Sequence, residues 1–257
     1  MNPIILIACA LFFISNVYAG DLLREKEIRS HLEKNIKNSL VVDLKTSNQT
    51  FLGLFGRTNI TQAKGAAVIL HDLDANPDWT QVIRPLRKYL PEHGWETIAI
   101  QLPLPFSGDD ERDHKALIQE SMPRIESALS FLESQGLFNN VLVAHGFGAR
   151  IASEYLAQKD SEGVQAFVGI SMSGPDTRDA IKKIKIPILD IWGERDYRHV
   201  LQSAREKRLA AKDASNEKFE QAEIAVANHY FDGMQTQLTS RVRAWLNKVA
   251  SGIEIER

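Results

Sequence analysis

Three short stretches hold the side chains that could do chemistry. In Val141-Leu142-Val143-Ala144-His145-Gly146-Phe147-Gly148-Ala149 an apolar run gives way to small residues at 144, 146, 148 and 149. That is the composition of a strand turning into a helix so sharply that neighbouring side chains must be tiny. A residue at the apex of such a turn is presented for nucleophilic attack, and here the apex is Gly146, which has no side chain to attack with. Further along, the run from Ile188 ends on the carboxylate of Asp196, and Asn228-His229-Tyr230-Phe231 follows a third apolar run. An imidazole that takes a proton and a carboxylate that orients it are the remaining parts of acyl-transfer chemistry. Each part also has a plainer reading. Asp196 fits a cap on a following helix, His229 a hydrogen-bonded core or surface histidine, and the small residues at 144–149 close packing of helix on strand.

Positioning these residues requires a frame, and the hydrophobic pattern supplies one. Residues 21–38 read as a charged amphipathic helix with Leu22, Leu23, Ile28, Leu32 and Ile36 as a loose apolar stripe. Residues 40–45 and 50–57 read as an antiparallel pair of strands at a sheet edge. From Gly65 short apolar strands alternate with longer helices. Strands are expected over 66–71, 96–102, 141–145, 166–171, 186–192 and 219–227, the first a continuous apolar run typical of burial on both faces. Helices are expected over 79–90, 113–135, 147–157, 176–183, 199–211 and 233–250, with Pro123 kinking or dividing the second. Such alternation predicts right-handed crossovers and a mostly parallel α/β sheet flanked by helices on both faces. Its ligand site lies beyond the carboxyl ends of the strands, where Gly146, Asp196 and His229 all fall.

In that order these segments resemble the nucleophile, acid and histidine of the α/β-hydrolase superfamily. Gly193-Glu194-Arg195-Asp196 matches the family's G-x-x-D phrase, and Val68-Ile69-Leu70-His71-Asp72 resembles the strand and H-G turn that lead into its oxyanion-hole loop. More narrowly, "ILHDLDANPDW", "AIQLP" and "AHGFGA" behind an export signal resemble an uncharacterised group of α/β-hydrolase-like proteins exported by Gram-negative bacteria. The resemblance implies the α/β-hydrolase fold, retained triad positions at His229 and Asp196, and Gly146 where the attacking serine stands. It also implies a cleft bordered by His71, Asp72, His145, Gly146 and Phe147. Glycine suits the turn, because a strained backbone there costs any other residue roughly 1–3 kcal/mol. Asp72 stands where a glycine usually follows the histidine. A carboxylate there would repel a developing oxyanion, although it also fits a turn cap facing solvent.

Three functions follow as expectations. The first is a pseudohydrolase that binds a small molecule or an envelope protein in the old cleft, for which Gly146→Ser should by itself create serine reactivity. The second is an esterase-like hydrolase using water activated by His229, or a relocated serine such as Ser107, Ser171 or Ser173. The third is a structural component of envelope assembly. A net charge of −2 excludes the strongly basic surface of a nucleic-acid binder. The cationic run over 198–212 reads as the solvated face of a helix. Seven histidines show no H-E-x-x-H spacing, and neither a phosphate loop nor a dinucleotide fingerprint is present, so no metal or cofactor is expected.

The first residues point to export. Ile4 to Ile14 is apolar but too short to span a bilayer, and Val17-Tyr18-Ala19 places small residues at −3 and −1 of a cleavage site. Residues 1–19 are therefore expected to be a signal peptide leading to the periplasm, leaving no transmembrane span in the mature chain. Residues 20–64 are expected to form an N-terminal helix and edge strands, and residues 65–257 the hydrolase-like core of the same domain. Cys9, the one cysteine, falls within the signal, so the mature chain has no disulfide.

Overall fold

A computed structural model describes residues 19–36, 40–108 and 114–252. The expected signal peptide, Cys9 included, lies outside the described residues except for Ala19. Eight strands form one sheet: β1 (Leu40–Lys45), β2 (Thr50–Gly56), β3 (Gly65–Leu70), β4 (Trp95–Ile100), β5 (Asn140–His145), β6 (Ala166–Ile170), β7 (Ile188–Arg195) and β8 (Phe219–Asn228). Their spatial order is β1-β2-β4-β3-β5-β6-β7-β8. β1 and β2 are antiparallel at one edge, and β4 through β8 with β3 run parallel.

Helices cover both faces. On one side α3 (His114–Ser134), α4 (Phe147–Gln158), α5 (Thr177–Lys183) and α6 (Arg198–Asp213) pack on inward residues such as Val68, Leu142 and Phe167. On the other, α1 (Leu22–Asn35), α2 (Ile83–Tyr89) and α7 (Gln235–Val249) cover Ile69, Val143 and Val168. Alternate residues of one strand thus feed opposite layers, which is why central strands read as unbroken apolar runs.

Three expectations about elements are corrected. α2 begins at Ile83 rather than 79, because a helix starting there would need an N–H from Pro85; in a first turn that N–H is not missed. α3 is continuous through Pro123 rather than divided, held by a buried face that includes Leu117, Ile118, Ile125 and Leu132 on either side of it. The cationic helix α6 is not simply a solvated face. Lys207 is buried, its Nζ donating at 2.6 Å both to Asp190 Oδ1 on β7 and to the carbonyl of Met172.

The N-terminal helix packs on the sheet through Leu32 and is tied to α3 by charged side chains. Asp21 caps α1 through the N–H groups of Leu23 and Arg24. Buried Arg124 of α3 donates to both oxygens of Glu25, to Glu120 and to the carbonyl of Gln101. Glu120 in turn accepts from the backbone N–H groups of Ala19 and Gly20.

Candidate functional site

β5 ends at His145 and α4 starts at Phe147, so Gly146 alone makes the turn, with φ 54° and ψ −119°. A positive φ of this kind is readily adopted by glycine and costs other residues energy. Gly148, two residues on, faces the carbonyls of Leu70 and His71, so a Cβ there would meet backbone at under 3.0 Å. The helix therefore rests directly on the end of β3 and carries Gly146 up against the loop that follows that strand.

That contact brings Asp72 into the turn. A Cβ built on Gly146 would lie under 3.0 Å from Cγ and both oxygens of the Asp72 carboxylate, closer than real Cβ atoms come. The carboxylate thus fills the volume a side chain at 146 would need. Oδ1 accepts the N–H of Phe147 at 2.6 Å and of Leu73 at 2.8 Å. Oδ2 lies 3.0 Å from His229 Nε2, and His229 Nδ1 lies 2.7 Å from Asp196 Oδ1. One residue after the apex and one residue of the loop after β3 are where an oxyanion hole draws its N–H groups. A single carboxylate consequently holds both of these N–H groups and faces Nε2 of the histidine.

The ionisation follows from the pairing. Burial by itself would lower the pKa of His229, but hydrogen bonds and charges from Asp196 and Asp72 outweigh it and push the value up to about 9. Burial would raise Asp72, yet the bond to His229 and the neighbouring histidines and N–H groups bring it down to about 2. Asp196 is likewise held below the ordinary range: its burial is opposed by His229, the Ser171 hydroxyl and the Tyr197 N–H. At neutral pH the trio is carboxylate, imidazolium, carboxylate, with both ring N–H groups donating. Tyr197 stacks on the imidazolium, ring centroids 4.3 Å apart.

The other residues singled out from the sequence take distinct places. His71 is buried and faces the loop rather than a cleft: Nε2 accepts the N–H of Leu102, so Nδ1 carries the proton and donates to the carbonyl of Asp72. Desolvation lowers its pKa to about 4, keeping it neutral. Its role is to hold the loop that delivers Asp72. His145 is also buried, with Nε2 3.0 Å from the carbonyl of His229, and Nδ1 has no hydrogen-bond partner among the described residues. Phe147 contributes its N–H, while its ring leans on His114. Of the serines, Ser171 donates to Asp196 Oδ2 at 2.5 Å, on the far side of the acid from the histidine. Ser107 lines a cavity of about 460 Å³ together with Asp21, Arg24, Leu73, Asp74 and His114; Gly146, Asp196 and His229 do not border it.

Two plainer readings are also corrected. Asp196 is not the cap of α6, which has Tyr197 at that position. Asp72 points inward rather than to solvent, with only 18% of its side chain exposed. The expectation that Gly146→Ser would by itself create serine reactivity meets the same obstacle, since the space is taken. The Leu73 N–H and the Tyr197 ring went unnoticed in the sequence. A backbone donor has no residue type to give it away, although Leu73 directly follows the Asp72 turn.

The sequence pattern of a family described as "Protein of unknown function (DUF3530)" matches residues 22–110 and 105–248. No curated protein matches the chain in sequence. Solved structures do match in shape. An α/β serine hydrolase without a lid from Xanthomonas campestris is 13% identical, covering 85% of this chain and 98% of that one with a TM-score of 0.66. Est1E from Butyrivibrio proteoclasticus (10% identity, 82% and 99%, TM-score 0.66) and dienelactone hydrolase from Anabaena variabilis (16%, 82% and 98%, TM-score 0.66) are similar to the same extent. At such identities the likeness speaks for the fold, which is that of the α/β hydrolases.

Proposed function

From its place in the DUF3530 family, to which the chain belongs, and from its α/β-hydrolase fold, we propose that this is a hydrolase-like protein that has lost serine acyl transfer and works as a binding pseudohydrolase of the cell envelope. The observation that carries the reading is the Asp72 carboxylate seated against Gly146. It takes the nucleophile's space, both backbone N–H groups and the Nε2 face of His229 at once. An ester carbonyl entering this site would find no attacking hydroxyl, a negative charge in its hole and a histidine already protonated.

The geometry favours this over the hydrolytic alternatives. A water-activating His229 needs a free lone pair, and both of its nitrogens face carboxylates. Ser171 is bound to the acid instead of the base. A purely structural role in envelope assembly has no specific observation behind it.

Export belongs to the same reading. Cleavage after Ala19 would free the amine of Gly20, whose nitrogen lies 3.2 Å from Glu120 Oε2, so the new charge would arise beside a carboxylate. Among the described residues no helix is long and apolar enough to cross a membrane.

The purified mature chain should turn over no p-nitrophenyl ester above buffer and take no fluorophosphonate label. Labelling or turnover that disappears in His229→Ala would overturn the reading. N-terminal sequencing of periplasmic protein should begin at Gly20, and a retained Met1 would refute the export part.

A further inference from the structure

The residues that block acyl transfer also form a donor set. Asp72, His145 and His229 each offer a ligand atom, all within 4.8 Å of one another, on side chains that are buried or nearly so. They come from three elements: the loop after β3, the end of β5 and the loop after β8. No spacing rule along the sequence could have joined them. The geometry points to a site for a borderline divalent cation of the zinc class, bound by His145 Nδ1, His229 Nε2 and Asp72 Oδ2, with water completing the coordination.

Three observations carry it. His145 commits Nε2 to the carbonyl of His229, which leaves Nδ1 as its free lone pair; that nitrogen is fully buried and has no partner among the described residues. A buried, unpaired imidazole nitrogen is costly unless something binds it. Both imidazoles are already oriented from behind, His145 by that carbonyl and His229 by Asp196. A hydrogen bond from the outer ring nitrogen to a carbonyl or carboxylate is how metal-binding histidines are held in tautomer and direction. Asp72 is similarly anchored through Oδ1 by two backbone N–H groups, leaving Oδ2 to ligate.

Distances and charge agree with this. Zn–N and Zn–O bonds of about 2.0–2.2 Å set tetrahedral ligands roughly 3.3–3.6 Å apart. His229 Nε2 and Asp72 Oδ2 stand at 3.0 Å, and each of the three residues has a ligand atom within 4.8 Å of the others, with the His145 ring turning its unpaired Nδ1 to the cation as the group closes. The cation replaces the proton shared between His229 and Asp72, which leaves to solvent. Two neutral imidazoles and a carboxylate suit zinc, cobalt or iron(II) better than calcium or magnesium, which prefer all-oxygen shells.

This goes beyond the pseudohydrolase reading, and its test does not depend on turnover. The mature chain, stripped with a chelator and dialysed, is titrated calorimetrically with Zn²⁺ and, separately, with Co²⁺ followed by visible absorption. One saturable site per chain with the d–d bands of a low-coordinate cobalt centre is expected. Asp72→Asn keeps an oxygen for the two N–H groups and so protects the fold; it and His145→Gln should each weaken binding at least about tenfold. The exposed pair His31→Gln and His199→Gln should leave binding unchanged. Absence of a saturable isotherm, or binding indifferent to both Asp72→Asn and His145→Gln, overturns the inference. It leaves the loss of acyl transfer, which answers to esters and fluorophosphonate, untouched.

Discussion

A serine placed at position 146 has to contend with Asp72, and the size of that conflict can be worked out. Gly146→Ser would put Cβ inside the carboxylate, so Asp72 must leave. Leaving forfeits the N–H bonds from Leu73 and Phe147, each worth about 1.5–3 kcal/mol for a charged acceptor. The positive φ adds roughly 1–3 kcal/mol for a non-glycine residue. The single variant should therefore lose about 4–9 kcal/mol, a drop in melting temperature of at least about 8 °C at this chain length. Asp72→Gly alone loses the same two bonds, about 3–6 kcal/mol. The double variant loses them only once, so it should be no less stable than Gly146→Ser and fall short of additivity by about 3–6 kcal/mol. Urea denaturation of the four proteins measures the cycle. Only the double variant, with His229 released from its second carboxylate, should take a fluorophosphonate label. Stabilities that add to within about 0.5 kcal/mol, or labelling of Gly146→Ser alone, would refute the reasoning.

Other consequences are open to measurement. The folded pKa of His229, about 9, lies above its unfolded value near 6.5, so its contribution to stability is full below pH 6.5 and is lost as pH rises through 9. Denaturation at pH 6 and pH 10 should differ by about 2–3 kcal/mol more in the wild type than in His229→Gln, and equal differences would count against the pairing. Lys207→Met strands Asp190 in the core and should cost about 3–5 kcal/mol in urea denaturation, whereas a loss under about 1 kcal/mol would mean the pair is dispensable. Arg124→Ala removes the clamp on Glu25, so limited proteolysis should cut within α1 well before the core is attacked. Simultaneous loss of both would show that the helix is held by something else.

The frame was legible because burial on two faces writes itself into composition. β3 and β6 are unbroken apolar runs and β5 is one between Asn140 and His145, and their observed ends lie within one residue of expectation. The order of Gly146, Asp196 and His229 could be read as well, since each follows such a strand. What could not be read was direction. Whether a loop carboxylate faces solvent or the interior depends on partners far along the chain, and His229 lies 157 residues from Asp72. Lys207 hid for a related reason. Within a run of charged residues nothing marks the one whose position on the helix turns it toward β7. The start of α2 was a matter of local chemistry, visible in Pro85 once the need for its N–H is considered.

The seating of Asp72 also gives the molecule a direction in time. A descendant given serine at 146 would become less stable before that serine could react. One that first exchanged Asp72 for glycine would weaken its site with nothing to attack a substrate. Neither step supplies a working nucleophile alone, and the two residues belong to separate stretches of chain, the loop after β3 and the turn after β5. The carboxylate therefore acts as a ratchet. On the pseudohydrolase reading proposed above, it holds the turn in a stable state in which no single substitution installs a working serine.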